Sequence, residues 1–148
     1  MLNLTRSSKF MRVANAAAAG QTAVTSSAVD TRGFRSCTFC VLFGAITASG
    51  VQSVKAQQSS DDGSADSYAD LLGTSISVAD DDDNQIVLLQ VKNPRERYLK
   101  CVVSRATQNS AVDGIIAILD DPITMPVTHD ATTVVTHEFH NAPAEGTA

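Results

Sequence analysis

Residues 34–43 constrain the fold most, because they read as a strand with apolar side chains on both of its faces. Side chains alternate between the two faces of a strand. The two faces consist of Phe34, Ser36, Thr38, Cys40 and Leu42, and of Arg35, Cys37, Phe39, Val41 and Phe43. A strand that is apolar on both faces is covered by other elements on both sides. We therefore expect a central strand of an all-β domain, covered on both sides at least over residues 39–43.

Alternating or apolar runs, separated by polar turns, recur along the rest of the chain. They predict about eight short antiparallel strands at a spacing of roughly 8–12 residues, which favours a jelly roll or β-sandwich over a βαβ fold. The predicted strands are residues 21–30, 34–43, 51–58, 74–79, 85–91, 98–105, 111–119 and 132–139. The predicted core consists of Phe39, Val41, Ile86, Leu88, Val102, Ile116 and Ile118.

The 148 residues are enough for one domain with a hydrophobic core, since domains most often have roughly 100–150 residues. Residues 1–20 combine basic side chains with an Ala-rich end and lack the apolar core of a secretory signal, so we expect an extended N-terminal arm. Residues 21–122 are predicted to form the β-sandwich, and residues 123–148 an extended C-terminal tail. Removal of residues 1–20 is then expected to leave the domain folded.

Charge is divided unevenly along the chain. Residues 1–35 contain five basic and one acidic residue, whereas residues 36–148 contain six basic and fifteen acidic residues. This basic segment has two interpretations, a segment that binds nucleic acid or an acidic protein surface, or a solvated tail. A second basic group consists of Arg95, Arg97, Lys100 and Arg105. This group has two interpretations, a patch that faces a protein partner or a solvated strand face.

Two classes of partner are not expected. Only one aromatic side chain, that of Tyr98, is interleaved with the second basic group for base stacking, so direct nucleic-acid binding is not predicted. No apolar run approaches the roughly 20 residues of a membrane span, so binding to a membrane is not predicted either.

No sequence pattern for catalysis is present: the chain contains no P-loop, GxSxG or GxGxxG motif. The densest group of potential metal ligands consists of His129, Asp130, His137, Glu138 and His140. Its HEFH segment lacks the i, i+4 histidine spacing of the helical HExxH zinc motif. The acidic run at residues 80–83 lacks the alternating ligands and the glycine of an EF-hand loop, and is interpreted as a solvated turn that caps a strand. We therefore predict a protein that is not an enzyme and has no metal site and no cofactor.

The cysteines do not form a disulfide framework. Cys37 and Cys40 have CxxC spacing, but positions i and i+3 of a strand point to opposite faces, so these two thiols do not meet. We expect both, together with Cys101, to behave as small buried hydrophobic residues. Three unpaired thiols suit a reducing compartment.

The central part of the chain resembles a set of small structural proteins of tailed bacteriophages. The resemblance lies in a sequence pattern, without an invariant motif, and the predicted arm and tail lie outside it. The residues that carry it are Asp30, Gly33, Phe34, Thr38, Phe39, Gly44, Ile46, the SSDDG segment at residues 59–63, Pro94, Arg95, Arg97, Tyr98, Ala117, Ile118 and Leu119. These phage proteins are similar to head components that include capsid cement (decoration) proteins with a jelly-roll fold.

The resemblance implies a structural virion protein on the capsid exterior, made in the cytoplasm of a bacterial host. Such a protein binds the outer surface of the shell and clamps neighbouring subunits of the major capsid protein, often as a symmetric oligomer. We expect a homodimer, with a trimer as the alternative. The residues that we predict to contact the shell or a sister subunit are Arg6, Lys9, Phe10, Arg12, Arg95, Arg97, Val134, Val135 and Phe139.

Two other functions stay open on the sequence alone. A head–tail connector or tail-tube component would come from the same virion but would form a ring of defined order. A metal- or carbohydrate-binding jelly-roll protein would belong to another class, and it would need inward-facing histidine and glutamate on core strands. Every histidine lies at or after position 129, outside the predicted core.

Overall fold

A computed structural model describes residues 3–147, so residues 1, 2 and 148 of the predicted arm and tail lie outside the described part. The described residues form one short helix, α1 (Leu4–Ser7), and eleven strands. The strands are β1 (Lys9–Ala14), β2 (Ala17–Gly20), β3 (Val24–Thr25), β4 (Val29–Asp30), β5 (Phe34–Ile46), β6 (Val51–Ser59), β7 (Ala69–Asp70), β8 (Ile76–Val78), β9 (Ile86–Lys92), β10 (Tyr98–Ala106) and β11 (Ser110–Pro122).

The strands form two antiparallel sheets. The first sheet has the order β1-β11-β5-β9, and β2 also pairs with β11. The second sheet has the order β3-β10-β6-β7, while β4 also pairs with β10 and β8 with β6. The predicted all-β sandwich is therefore confirmed.

The eleven strands occupy only eight positions in the two sheets, because pairs of short strands lie end to end along one edge of a longer strand. β5 takes one edge of β11, so β1 and β2 share the other edge. By the same reasoning β3 and β4 share one edge of β10, and β7 and β8 share one edge of β6. Each sheet thus has four positions, and consecutive long strands of the chain alternate between the two sheets. This is the arrangement of a jelly roll.

The hydrophobic core lies between the sheets and is built on β5 and β11. Alternate residues of β5, among them Cys37, Phe39 and Val41, are fully buried, as are Ile115 and Leu119 of β11. They pack against a set from the second sheet that consists of Val29, Val54, Ala56, Leu99, Cys101 and Val103.

The predicted core is correct in part. Phe39 and Val41 lie in the core as predicted, whereas Val102 is buried on the other face of β10, outside the core cluster. The predictions for Ile86 and Leu88 are wrong, since these side chains of β9 are 57% and 59% exposed. The core side of β9 consists instead of Val87, Leu89 and Val91, which alternate with them.

The two isoleucines predicted for the core of β11 also lie on the other face. Ile116 and Ile118 are half-buried, whereas Ile115, Ala117 and Leu119 are buried. β11 is apolar on both faces, and the alternation does not say which face meets the second sheet.

The prediction of an extended N-terminal arm is wrong for the described residues. β1 pairs in register with β11 from Lys9–Leu119 to Arg12–Ile116, and β2 continues along the same edge. Val13 is buried in the core and Met11 packs against it. Residues 9–20 are therefore an edge of the first sheet.

The C-terminal segment contains no strand within residues 123–147, so the strand predicted at residues 132–139 is wrong. The segment is nevertheless held against the domain. The Ile123 N–H donates to the Gly33 carbonyl at 2.8 Å, and the Val127 N–H to the Arg6 carbonyl at 2.9 Å. Among the described residues, the helical part is too short to cross a membrane.

The position of β1 in the sheet can be tested with two neighbouring residues that point to opposite faces. We expect Val13→Ala to lower the free energy of unfolding by about 2 kcal/mol, because a buried side chain loses apolar contacts. Arg12→Ala, at an exposed position, should change it by less than about 0.5 kcal/mol. Urea unfolding measures both, and removal of residues 1–20 should destabilise the domain more than either. A deletion variant as stable as the full chain would contradict this placement.

Candidate functional site

The candidate site is the face of the first sheet that points away from the second sheet, which we call the outer face. Its residues alternate with the core residues of β1, β11, β5 and β9. The apolar residues of the outer face are Phe10, Cys40, Leu42, Ile86, Leu88, Ile116 and Ile118. The expectation that residues 39–43 are covered on both sides is correct for the core face only, because Cys40 and Leu42 on the outer face are half-buried.

Part of the outer face is covered by residues 123–140, which we call the strap. His129 is its main attachment point. The Phe10 N–H donates to His129 Nδ1 at 3.2 Å, and His129 Nε2 lies 2.8 Å from the Thr5 carbonyl. Since Nδ1 accepts a hydrogen bond, Nε2 carries the proton and donates it to that carbonyl. The imidazole is thus bonded to the backbone of both α1 and β1.

Aromatic contacts reinforce this attachment. The ring centroids of Phe10 and His129 are 5.9 Å apart, and those of His129 and His137 are 4.6 Å apart at a steep angle. Edge-to-face arrangements of this kind are favourable between rings. Further along the strap, Asp130 accepts hydrogen bonds from Thr132 and Thr133, and these bonds hold the pKa of its carboxyl below its usual value.

A cleft of about 370 Å³ lies where the strap crosses the sheet. Its lining includes Phe10 and Arg12 from β1, Leu42 from β5, Ile116 from β11 and Val134 from the strap. Three of the residues predicted to contact a partner, Phe10, Arg12 and Val134, are therefore brought together here. Phe10 and Val134 are half-buried within the chain itself, so Arg12 is the exposed member of this group.

The other half of the outer face, on β5 and β9, is open, and we call it the open half. It consists of Cys40 and Leu42, which are half-buried, and of Ile86 and Leu88, which are exposed. The strap adds two more exposed apolar side chains, since Val135 is fully exposed and Phe139 is 65% exposed. Both residues belong to the predicted contact set, and both are accessible to a partner.

The predicted basic contacts have different surroundings. Arg6 and Arg12 are exposed, whereas Lys9 is half-buried. Arg95 is exposed at a cleft of about 450 Å³ that Arg32 and Arg35 also line.

The second basic group does not form a patch. Arg97 forms a two-pronged ion pair with Asp30, with Nε–Oδ1 at 2.9 Å and Nη2–Oδ2 at 2.5 Å. Lys100 Nζ lies 3.9 Å from the centre of the Tyr68 ring. Arg105 is buried and bonded to backbone carbonyls. The interpretation as one partner-facing patch is therefore wrong, because three of the four cations are bound within the chain.

Sequence reasoning missed Ile86 and Leu88 as surface residues. A signal for them is present in β9 itself. The face that carries them continues with Gln90 and Lys92, whereas the alternate face consists of Val87, Leu89 and Val91. The polar continuation marks the first set as solvent-facing.

The cysteine and histidine side chains have surroundings that fit structural roles. Cys37 and Cys101 are fully buried, and burial raises the pKa of each thiol to about 12. Cys40 is half-buried on the outer face, opposite to Cys37 as predicted. His140 Nε2 lies 2.8 Å from Glu138 Oε2 at an exposed position of the strap. Within residues 3–147, no three histidine, cysteine or acidic side chains are placed to hold a metal ion.

The acidic runs bind backbone N–H groups of turns. Asp83 Oδ1 accepts from the Ile46 N–H at 2.5 Å, and Asp80 accepts from the Ser49 N–H. Asp61 accepts from the N–H groups of Ser64, Ala65 and Asp66, which lower the pKa of its carboxyl. Hydrogen bonds to the charged form favour that form. These carboxylates close loops, in agreement with the interpretation of residues 80–83 as a capping turn.

Comparison with known proteins adds no assignment. No protein-family model matches the sequence, and no curated protein matches it. The resemblance to phage cement proteins therefore stays a prediction from the sequence pattern.

The attachment of the strap can be tested at His129. We expect His129→Ala to release residues 123–140, because the bonds to Thr5 and Phe10 are lost. The measurement is amide hydrogen exchange, which should become faster in the strap and at Phe10 while the core strands stay protected. His140→Ala is the matched control, since His140 contacts only Glu138 of the strap. Equal exchange in both variants would show that His129 does not hold the strap.

The ion pair of Asp30 predicts a dependence of stability on pH. The hydrogen bonds from Arg97 lower the pKa of Asp30 in the folded protein. Its contribution is then fully present above the ordinary carboxyl pKa of about 3.9, and is lost as the pH falls through the lower folded value. Asp30→Asn should therefore lower the urea midpoint at pH 7 relative to the unsubstituted chain. This difference between the two proteins should disappear near pH 2.

Asp81→Asn is the control, because Asp81 is exposed and forms no salt bridge within the described residues. Its urea midpoint should differ little from that of the unsubstituted chain at either pH. A deficit for Asp30→Asn that is equally large at pH 7 and pH 2 would contradict the assignment.

Proposed function

We propose that this protein is a non-enzymatic structural protein of a phage virion, a cement protein that binds the outer surface of the capsid and clamps neighbouring subunits of the major capsid protein. The fold is compatible with this role, because jelly rolls occur in viral capsid domains as well as in lectins and cupins. A fold does not specify a function, so the proposal depends on the surface of the domain.

The observation that carries the proposal is the outer face. A soluble monomer rarely leaves a large apolar patch in contact with water unless that patch binds something. Ile86 and Leu88 are exposed on the open half, and Val135 and Phe139 are exposed on the strap. The chain has thus covered one half of an apolar sheet face and left the other half accessible.

Charge indicates the kind of surface that would bind there. Arg12 is exposed on the same face, and Arg6 is exposed on α1 beside the point where the strap is attached. A partner with apolar side chains and carboxylates at the rim would complement this arrangement. On an icosahedral shell, many identical contacts of this kind act together, so each can be weak.

The first experiment is to measure the copy number of this chain in purified particles by quantitative mass spectrometry against the major shell protein. A simple ratio to the shell protein, with copies in the hundreds, is the result expected of a cement protein. A dozen copies or fewer would indicate a connector or tail component instead. Absence from the particles would refute the virion role.

The second experiment tests the strap as the contact surface. Particles that lack this chain are mixed either with the purified unsubstituted protein or with the Val135→Asp/Phe139→Asp variant. The particles are then sedimented, and the amount of bound protein is measured. We expect binding to fall at least tenfold, because two exposed apolar contacts are replaced by charges that the partner repels. Leu72→Asp is the matched control, since Leu72 is fully exposed in the loop after β7, on the second sheet. Equal binding of both variants would exclude the strap.

A further inference from the structure

The two sheets differ in how their edges are protected. In the described part of the chain, each edge of the second sheet is divided into two strands of two or three residues, β3 with β4 and β7 with β8. The β1 edge of the first sheet is divided into β1 and β2, with a register shift between Arg12 and Ala14. Short, interrupted or bulged edge strands are how proteins prevent a second chain from pairing with them.

β9 is the exception. It pairs with β5 over seven consecutive residues without a register shift and contains no proline. Its outward side chains at the start of the strand are Ile86 and Leu88, both exposed. A cleft of about 310 Å³ adjoins this end of the strand and is lined by residues of β9 and β8.

The backbone of β9 also presents a definite set of hydrogen-bonding groups. The Phe43 N–H donates to the Gln85 carbonyl at 3.0 Å, and the Asn93 N–H donates to the Arg35 carbonyl at 2.6 Å. In an antiparallel pair, the N–H and C=O groups of alternate residues point toward the partner strand and away from it. Val87, Leu89 and Val91 therefore bond to β5. The outward-pointing backbone groups belong to Ile86, Leu88, Gln90 and Lys92.

We propose that a second copy of this chain pairs with β9 in antiparallel orientation about a two-fold axis at Leu89. This register places Ile86 opposite Lys92 and Leu88 opposite Gln90 of the other copy. It is the register in which all four outward residues of each strand find hydrogen-bonding partners. The two first sheets become one continuous sheet, and the interface is isologous, as two-fold symmetry requires.

The charges at the two ends of β9 favour this orientation. The acidic run at residues 80–83 precedes the strand, Lys92 is its last residue and Arg95 follows it. Both cations are exposed, and neither forms a salt bridge within the described residues. Antiparallel pairing brings the basic end of one copy next to the acidic end of the other, at both ends of the interface. Parallel pairing would bring like charges together, so the strand is self-complementary in one orientation.

Pairing at β9 goes beyond the proposed capsid role and does not depend on it. It also places the open halves of the two copies side by side on one face. Leu88 of one copy lies diagonally opposite Leu88 of the other in this register, so the two apolar patches approach each other near the axis.

The test uses two substitutions of the same residue. Gln90→Pro removes an outward-pointing N–H and leaves the bonds to β5 in place, which an edge strand tolerates. Gln90→Ala removes the same side chain, including its bond to Ser36 Oγ, but keeps the N–H. Light scattering after gel filtration should find a dimer for the unsubstituted chain and for Gln90→Ala, and a monomer with an unchanged circular dichroism spectrum for Gln90→Pro.

A second variant keeps the proposal testable if the proline disturbs folding. Lys92→Glu/Arg95→Glu changes only exposed side chains, and should raise the dissociation constant of the dimer about tenfold or more at low salt. A monomeric unsubstituted chain at high concentration would overturn the proposal. So would a dimer that both this variant and folded Gln90→Pro leave intact, because the contact would then lie elsewhere. Neither result would bear on the copy number in particles.

Discussion

The pairing of β5 with β11 is the constraint on which the rest of the structure depends. The two strands have thirteen residues each and lie at the centre of the first sheet, paired from Ile46–Ser110 to Phe34–Pro122. β1 and β2 attach to one side of this pair and β9 to the other. Both faces of the pair are apolar, but the second sheet lies on one side and can cover only one of them. The fold therefore leaves a second apolar face that another element has to cover.

A buried arginine holds the end of this central pair. Arg105 is 8% exposed and donates to three backbone carbonyls, those of Thr22, Ala18 and Ser110, at 2.6–2.9 Å. These carbonyls belong to the β2–β3 connection, to β2 and to the start of β11. The planar guanidinium has several donors in a fixed arrangement, which an ammonium group lacks. A charge buried in this way is tolerated because its donors are bonded. One side chain thus connects the second sheet to both strands of the β2–β11 pair.

Most of the fold could be predicted from the pattern of apolar residues, but the ends of the chain could not. β5, β6, β9, β10 and β11 lie close to their predicted positions, because each is an apolar or alternating run bounded by polar turns. β1 is a strand through its long-range pairing with β11, and its short sequence of mixed polar and apolar residues contains no local sign of that partner. The strap has no regular structure, and its place depends on His129, whose two backbone partners are more than a hundred residues away.

The candidate site could also be predicted only in part from the sequence. Val135 and Phe139 could be placed outside the sandwich, because the domain is predicted to end at residue 122. The side of β9 could not be identified from apolarity alone, since both of its faces begin with apolar residues; Gln90 and Lys92 decide it. Once β9 is placed at an edge, Ile86 and Leu88 have no partner within the described residues that buries them. The protein partner that we propose would complete the half of this apolar face that the chain leaves uncovered, beside the edge strand β9.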